Sequence, residues 1–548
     1  MNRIKDMIIR HRETGAFSYH FRDSKKEVND DAVPDQSLRR RRHAGEEDGR
    51  SPESSPQETA MKNYDLTEKL NAIRQVIDAG PFHDNWESLS GYEVPAWYSN
   101  LRFGIFIHYG LFSVPAFDSE WYPRMMYVKG SRAYQHHLET YGPQSEFGLK
   151  NFIPMFHAEK FDADRWIDIF QKAGAQYVVP VAEHHDGFQM YKSDLSSYNA
   201  YDMGPGKDIV GLLKKSADAK GMTFGVSSHR LEHYFFLGGG REFDSDIKGD
   251  FHRGDLYWPS EKGPEDFDAI DGECSPSEEF MQDWLIRTCE LIDRFQPSIL
   301  YFDWWIQRVE LRPYLKMFTA FYYNRAAEWG KQVVINYKHD AYPFGVAVPD
   351  VERGQLASQK PYRWQSDTAM CFNSWCHTVD NRYKKAKDIL CDLIDINSKN
   401  GTMLLNIGPK EDGTFTEEET QILSEIGTWM EKNGEALFQS KPYRIFGEGP
   451  TDIVEGGFQD AAVKEFTSAD FRFFAGNGCI YAIALRASAD GEYLIKSFAR
   501  KQGNLNTQIS GITCLSEEKQ VIYDHRPDGL RICCQAGGEY PVVFRITL

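Results

Sequence analysis

The sequence predicts a (β/α)8-like, TIM-type barrel followed by an antiparallel β-sandwich domain, and three observations carry that prediction. From about residue 97, short apolar runs alternate with longer amphipathic stretches, the rhythm of βα units around a parallel sheet. Those runs end repeatedly on polar residues, as strands do at the mouth of a barrel. From about residue 440 the pattern shortens into alternating strands separated by Gly, Asn and Asp turns.

Taken in order, residues 1–60 include "SLRRRRHAGEEDGRSPESSPQETA", a segment too poor in apolar side chains to offset the entropy of ordering it, so a disordered extension is expected there. The barrel is expected over residues 61–438. Its strands are "RFGIFIHYG", "AQYVVPVAEHHD", "MTFGVSSHR", "SILYFDWW", "QVVINYK", "VAVPDVERG" and "TMLLNIGP", with an eighth, faintly marked, near "RWQSDTAMCF". Helices between them include "DADRWIDIFQKAGA", capped by Asp162 or Asp164 and closed near Gly174, and "DIVGLLKKSADAKG", closed by Gly221. The β-sandwich is expected over 439–548, from runs such as "DFRFFAGNGCIYAIALRA" and "PVVFRITL". It carries no catalytic cluster and reads as a packing partner for the barrel.

Composition narrows the function. A formal net charge of -18 over 548 residues argues against nucleic acid as a partner, since phosphates require a basic face. No run of about 18 or more apolar residues is present, so no membrane association is expected, and "MNRIKDMIIRHRETG" lacks the apolar core of a signal peptide. Nine cysteines, an odd number without CxxC or zinc-type spacing, read as reduced thiols, which points to a cytoplasmic protein. The 12 tryptophans supply flat apolar walls of the kind that suit the C–H faces of sugars, although most large aromatics simply fill a core.

The chemistry gathers at the strand ends. In "SILYFDWWIQ" a lone carboxylate, Asp303, closes the most apolar strand beside Trp304 and Trp305. Other strands end on His108, on Glu183, His184, His185 and Asp186, on Ser227, Ser228 and His229, on Asn336, Tyr337 and Lys338, and on Asp350, Glu352 and Arg353. A single such residue is usually a structural cap; a succession of them marks a site. Carboxylates on separate strands suit acid/base or nucleophilic work. Metal-assisted hydrolysis is the weaker reading. Adjacent strand residues point to opposite faces, so His184 and His185 share an ion only if the strand has ended, and no HExxH spacing is present. A serine nucleophile is weaker still without a G-x-S-x-G elbow. Neither a metal nor another cofactor is called for.

The segments "RFGIFIHYGLFSVPAFDSEWY", "PMFHAEKFDADRWIDIFQKAGAQYVVPVAEHHDGFQMYKSD" and "DINSKNGTMLLNIGPKEDGTFTEEE" resemble the α-L-fucosidases of glycoside hydrolase family 29, over most of the chain from about residue 95. The resemblance implies a retaining exo-glycoside hydrolase that releases terminal α-linked L-fucose from glycans or glycoconjugates. It implies Asp303 as the catalytic nucleophile and Glu352, in "PDVERGQ", as general acid/base, with Asp367 and Glu120 as competing candidates for the second role. The implied sugar-holding residues are His108, Glu120, Trp121, His184 and His185, with Trp375 of "NSWCH" closing the pocket around the sugar's methyl group. Double displacement calls for carboxyl groups about 5–5.5 Å apart.

The chain also departs from the family's pattern. Glu183 replaces a common Lys and Tyr109 a common Trp. His229 stands in for a Tyr at the end of strand three, and Lys338 for an Arg whose two-pronged hydrogen bonding a lysine does not reproduce. These changes flank the pocket. They leave open a related sugar such as an α-L-galactoside, and, as a different class, a non-catalytic carbohydrate-binding protein on the same fold. The implied partner is a fucosylated oligosaccharide or glycoconjugate, and a homo-oligomer is compatible with the chain.

Overall fold

Eight short parallel strands close on themselves: β1 Phe103–Ile107, β2 Tyr177–Glu183, β3 Thr223–Ser228, β4 Ile299–Phe302, β5 Val334–Tyr337, β6 Val348–Glu352, β7 Trp364–Ala369 and β8 Gly401–Ile407, with β8 pairing back onto β1. The computed structural model describes residues 62, 64–264, 274–460, 464–500 and 502–548. The extension expected over residues 1–60 lies outside the described residues. The faint strand near "RWQSDTAMCF" is β7.

The barrel strands read as apolar throughout because both of their faces are buried. In β4, Ile299 and Tyr301 join Phe106, Val179 and Leu404 in the barrel interior, whereas Phe302 packs on Trp284 and Phe318 of the helices Glu278–Phe295 and Arg312–Glu328. Tyr177 crosses the interior to reach Met403 O (3.2 Å). It can do so because residue 104 is glycine: a Cβ there would lie 2.3 Å from the Tyr177 ring.

Alternate residues share a face, so each interior column continues upward to the mouth. Phe106 leads to His108, Ser227 to His229, Tyr301 to Asp303, Asn336 to Lys338, Asp350 to Glu352, Gln365 to Asp367 and Leu404 to Asn406. This parity, rather than any local motif, assembles the polar ring.

The helical layer follows its capping signals. Asp162 caps Ala163–Lys172 by accepting the N–H of Arg165 (3.0 Å), and the chain then turns through Gly174 at φ +90°. Asp208 caps Ile209–Ala219, and Gly221 follows at φ +68°. From Lys441 the chain builds two antiparallel sheets. Among the described residues one has six strands and contains β9 (Lys441–Glu448), β10 (Phe471–Gly476), β11 (Cys479–Ala484) and the last strand, Val542–Thr547; the other has three. Phe473 and Phe544 of the first meet Ile495 and Leu530 of the second in a separate core. Arg472 on β10 pairs with Asp395 of the barrel helix Ala386–Ser398 at 2.5 Å, which ties the two layers together. All nine cysteines are free thiols, and no described helix is long and apolar enough to cross a membrane.

Candidate active site

Two carboxyl groups at the mouth have opposite surroundings. Asp303 follows β4 directly, its N–H directed at Ser228 O of β3. Its Oδ2 lies 3.0 Å from His229 Nδ1 and 3.3 Å from His185 Nε2. Burial favours the neutral acid, but His229 and His185 outweigh it and hold Asp303 well below the usual carboxylate range. His185 also donates from Nδ1 to His229 O (2.8 Å) and faces Glu232 at 3.5 Å. Burial would discharge it, yet Glu232 and Asp303 raise it to about 9, so it is an imidazolium at neutral pH. His229 is pulled down by burial. It is neutral, donating from Nδ1 to Asp303 and accepting from the Ser227 hydroxyl at Nε2 (3.0 Å).

Glu352 ends β6. Its carboxylate accepts from the Trp304 indole N–H and pairs with Lys338 Nζ at 2.9 Å. Burial raises it to about 7; Lys338 works against that shift, and the negative charges of Asp367 and Asp303 add to it. Lys338 Nζ also lies 3.0 Å from Asp367 and 3.1 Å from Asp350. Its hydrogen bonds go to both oxygens of Asp367 (3.2 and 3.0 Å), and the neighbouring anions hold it well above its ordinary range despite burial. Asp367 accepts the Tyr301 hydroxyl (2.7 Å) and Asp350 the Gln365 amide (2.8 Å). Exposure separates these acids. The side chains of Asp303 and Glu352 each keep 12% of their surface accessible, whereas Asp367 keeps 1% and Asp350 none.

The remaining predicted site residues surround this pair. His108 shares a hydrogen bond with Asn406 (2.6 Å), and its ring lies 5.6 Å from His184 and 5.4 Å from His229. Burial drives both His108 and His184 well below the ordinary histidine range. Both are neutral, and His184 Nδ1 is buried without a protein partner, a polar atom suited to a ligand hydroxyl. Trp375 leans over His108 with ring centres 5.3 Å apart, under the guanidinium of Arg353 at 4.5 Å. Glu120 accepts the Trp375 N–H (3.0 Å), which fixes the wall. Trp121 packs on His185 and Phe236. Lys338 lies within 3.1 Å of Glu352, Asp367 and Asp350, so it is spent on carboxyls.

The strand does end before the histidines: β2 stops at Glu183, so His184 and His185 have left it and their rings are 4.3 Å apart. Ligand atoms of His108, His184 and His229, and of His185, His229 and Asp303, fall within 4.8 Å of one another. An ion would bind there only at the expense of bonds already described, because both His229 nitrogens are engaged.

Behind the mouth, Glu183 accepts from Arg230 (2.5 Å). Arg230 and Arg287 share Asp283 at 2.8 and 2.9 Å, and Tyr64 donates to the same carboxylate. This network locks the end of β2 to the turn after β3, the two segments that present His184, His185 and His229. The Glu183 departure is therefore answered by a buried pair of arginines.

Several contributors escaped sequence reading. Asn406 was within reach, since it tops the inner column of "TMLLNIGP". Glu232 and the Arg353–Trp375 stack depend on loop paths that no local signal marks.

A family model described as alpha-L-fucosidase matches residues 70–435. Among known proteins, the chain is 29% identical over 415 residues to the tissue alpha-L-fucosidase of Mus musculus, covering 73% of this chain and 82% of the relative. It is 29% identical over 381 residues to the plasma alpha-L-fucosidase of Homo sapiens, covering 68% of this chain and 75% of the relative. Its fold matches a solved Thermotoga maritima alpha-fucosidase in complex with a mechanism based inhibitor, with a TM-score of 0.67 at 24% identity, over 85% of this chain and 100% of that one. By the family model, the relatives and the barrel, the chain belongs to the α-L-fucosidases of glycoside hydrolase family 29 and is a glycosidase.

Proposed function

We propose that the protein is a retaining exo-α-L-fucosidase acting on fucosylated oligosaccharides or glycoconjugates, with Asp303 as nucleophile and Glu352 as general acid/base. One observation carries the reading. The two accessible carboxyls of the mouth are shifted in opposite directions, Asp303 well down and Glu352 up to about 7. At neutral pH the first is an anion ready to attack, and the second is near its midpoint, so that a large share of it carries a proton to give. Asp303 attacks the anomeric carbon while Glu352 protonates the departing oxygen. Glu352, now a base, then draws a proton from water, which releases the sugar with its configuration retained. Exposure favours Glu352 over Asp367, which is 1% accessible, and Glu120 is committed to the backbone of Trp375.

The neutral His108 and His184 supply hydrogen bonds for the hydroxyls of the sugar, the cationic His185 is spent on Asp303 and the His229 carbonyl, and Trp375 offers an apolar wall for the methyl group. Within this reading residues 61–438 form the catalytic unit and residues 439–548 the supporting β-sandwich. The nine free thiols fit a cytoplasmic setting. The direct test is nitrophenol release from its α-L-fucoside. Asp303→Ala should lose all but a trace of the wild-type rate and recover part of it in azide; unchanged activity would refute the assignment.

A further inference from the structure

Phe458 is a bulky aromatic, 45% exposed, held at φ +57°, a left-handed conformation that favours glycine. It belongs to the connection between β9 and β10, and that connection returns from the C-terminal sheets to the acid/base strand. Phe458 N–H donates to Glu352 O (2.8 Å), and the N–H groups of Gln459 and Asp460 both donate to Arg353 O (2.8 and 2.9 Å). Gly456 and Gln355 exchange backbone hydrogen bonds. The close approach requires glycine at 354, where a Cβ would meet Gly456 O at 1.9 Å. Asp460 finishes the latch on Lys384 (2.7 Å) and Thr368 (2.6 Å).

The latch delivers the Phe458 ring to a defined place. Its centre lies 6.0 Å from that of Trp304, whose indole holds the Glu352 carboxylate, and His339 packs on Trp304 at 4.4 Å. Trp305, by contrast, is 3% exposed against Phe235 and serves the core. An accessible aromatic is thus held in strained backbone one ring away from the Glu352 carboxyl.

We propose that Phe458 and Trp304 form a leaving-group subsite, a stacking platform for an uncharged pyranose ring, with the C-terminal region contributing Phe458 to specificity. This rests on the proposed role of Glu352.

The test compares kcat/KM for two substrates in the full chain: α-L-fucosyl fluoride, whose leaving group has no ring, and an α-L-fucosylated disaccharide. Phe458→Ala should lose about 10-fold on the disaccharide and stay within about 2-fold of wild type on the fluoride, the scale of one aromatic contact. Phe458→Tyr should restore the disaccharide rate. Equal losses on both substrates, or no loss on either, would overturn the proposal, as would a Tyr variant that fails to rescue. Glu352→Gln run alongside tests the other reading separately: fluoride needs no protonation to leave, so loss on the disaccharide alone supports the acid role whatever Phe458 does.

Discussion

Lys338 offers the sharpest perturbation of Glu352, the proposed acid/base. Its ammonium lies 2.9 Å from Glu352, closer than to Asp367 or Asp350. A cation at that distance favours the ionised carboxylate, and such a neighbour typically moves a carboxyl by about 1–3 pH units. At about 1.4 kcal/mol per unit this is roughly 1.4–4 kcal/mol of preference for the charged form. Glu352 stands at about 7 with the lysine present. Lys338→Met should therefore carry the alkaline limb of kcat/KM upward from near pH 7 by about one to three units, because the acid keeps its proton longer. The profile of kcat/KM reports the groups of the free enzyme. The assay is the pH dependence of hydrolysis of a fucosylated disaccharide, whose poor leaving group needs the acid. Lys338→Arg retains the charge and should leave the limb near its wild-type place. A limb that stays put in Lys338→Met, or moves down, would refute the electrostatic reasoning even if the overall rate falls.

Two further outcomes follow from the buried charges. Asp283→Ala strips the shared carboxylate from Arg230 and Arg287; leaving them uncompensated should cost about 3–5 kcal/mol in chemical denaturation, and a loss under about 1 kcal/mol would contradict the network. His185 is raised to about 9 by Glu232 and Asp303 against the pull of burial, so its contribution to stability is fully present below the ordinary value of 6.5 and is lost as pH rises through about 9. The thermal midpoint should fall across that window in the wild type and fall less in His185→Gln; parallel curves would refute the assignment.

Seven barrel strands were legible because double-sided burial makes them continuous apolar runs. β7 was faint for a physical reason: its inner residues, Gln365 and Asp367, are polar, and they serve Asp350, Lys338 and Tyr301 within the barrel. The polar ring was legible wherever a strand's inner column reached the mouth, as at His108, Asp303 and Glu352. Lys338 was visible as a strand end, but its placement among three carboxyls depends on the register of β5, β6 and β7. The latch of residues 456–460 is a long-range contact made by backbone groups, which side-chain patterns do not encode. The directions of His184 and His185 hung on a strand boundary, where a shift of one or two residues decides which way a side chain points, and the sequence left that boundary open.

The division of labour proposed for Asp303 and Glu352 is tested most directly by the configuration of the fucosyl azide that each variant forms from an activated α-L-fucoside. Without its nucleophile, Asp303→Gly should let azide attack from the vacated face and yield the β-azide. Glu352→Ala should still form the glycosyl-enzyme on Asp303, which azide opens from the opposite face to give the α-azide. Proton NMR of the anomeric centre distinguishes the two products. A β-azide from Asp303→Gly together with an α-azide from Glu352→Ala is the predicted result; the reverse pairing, or the same anomer from both, would contradict it.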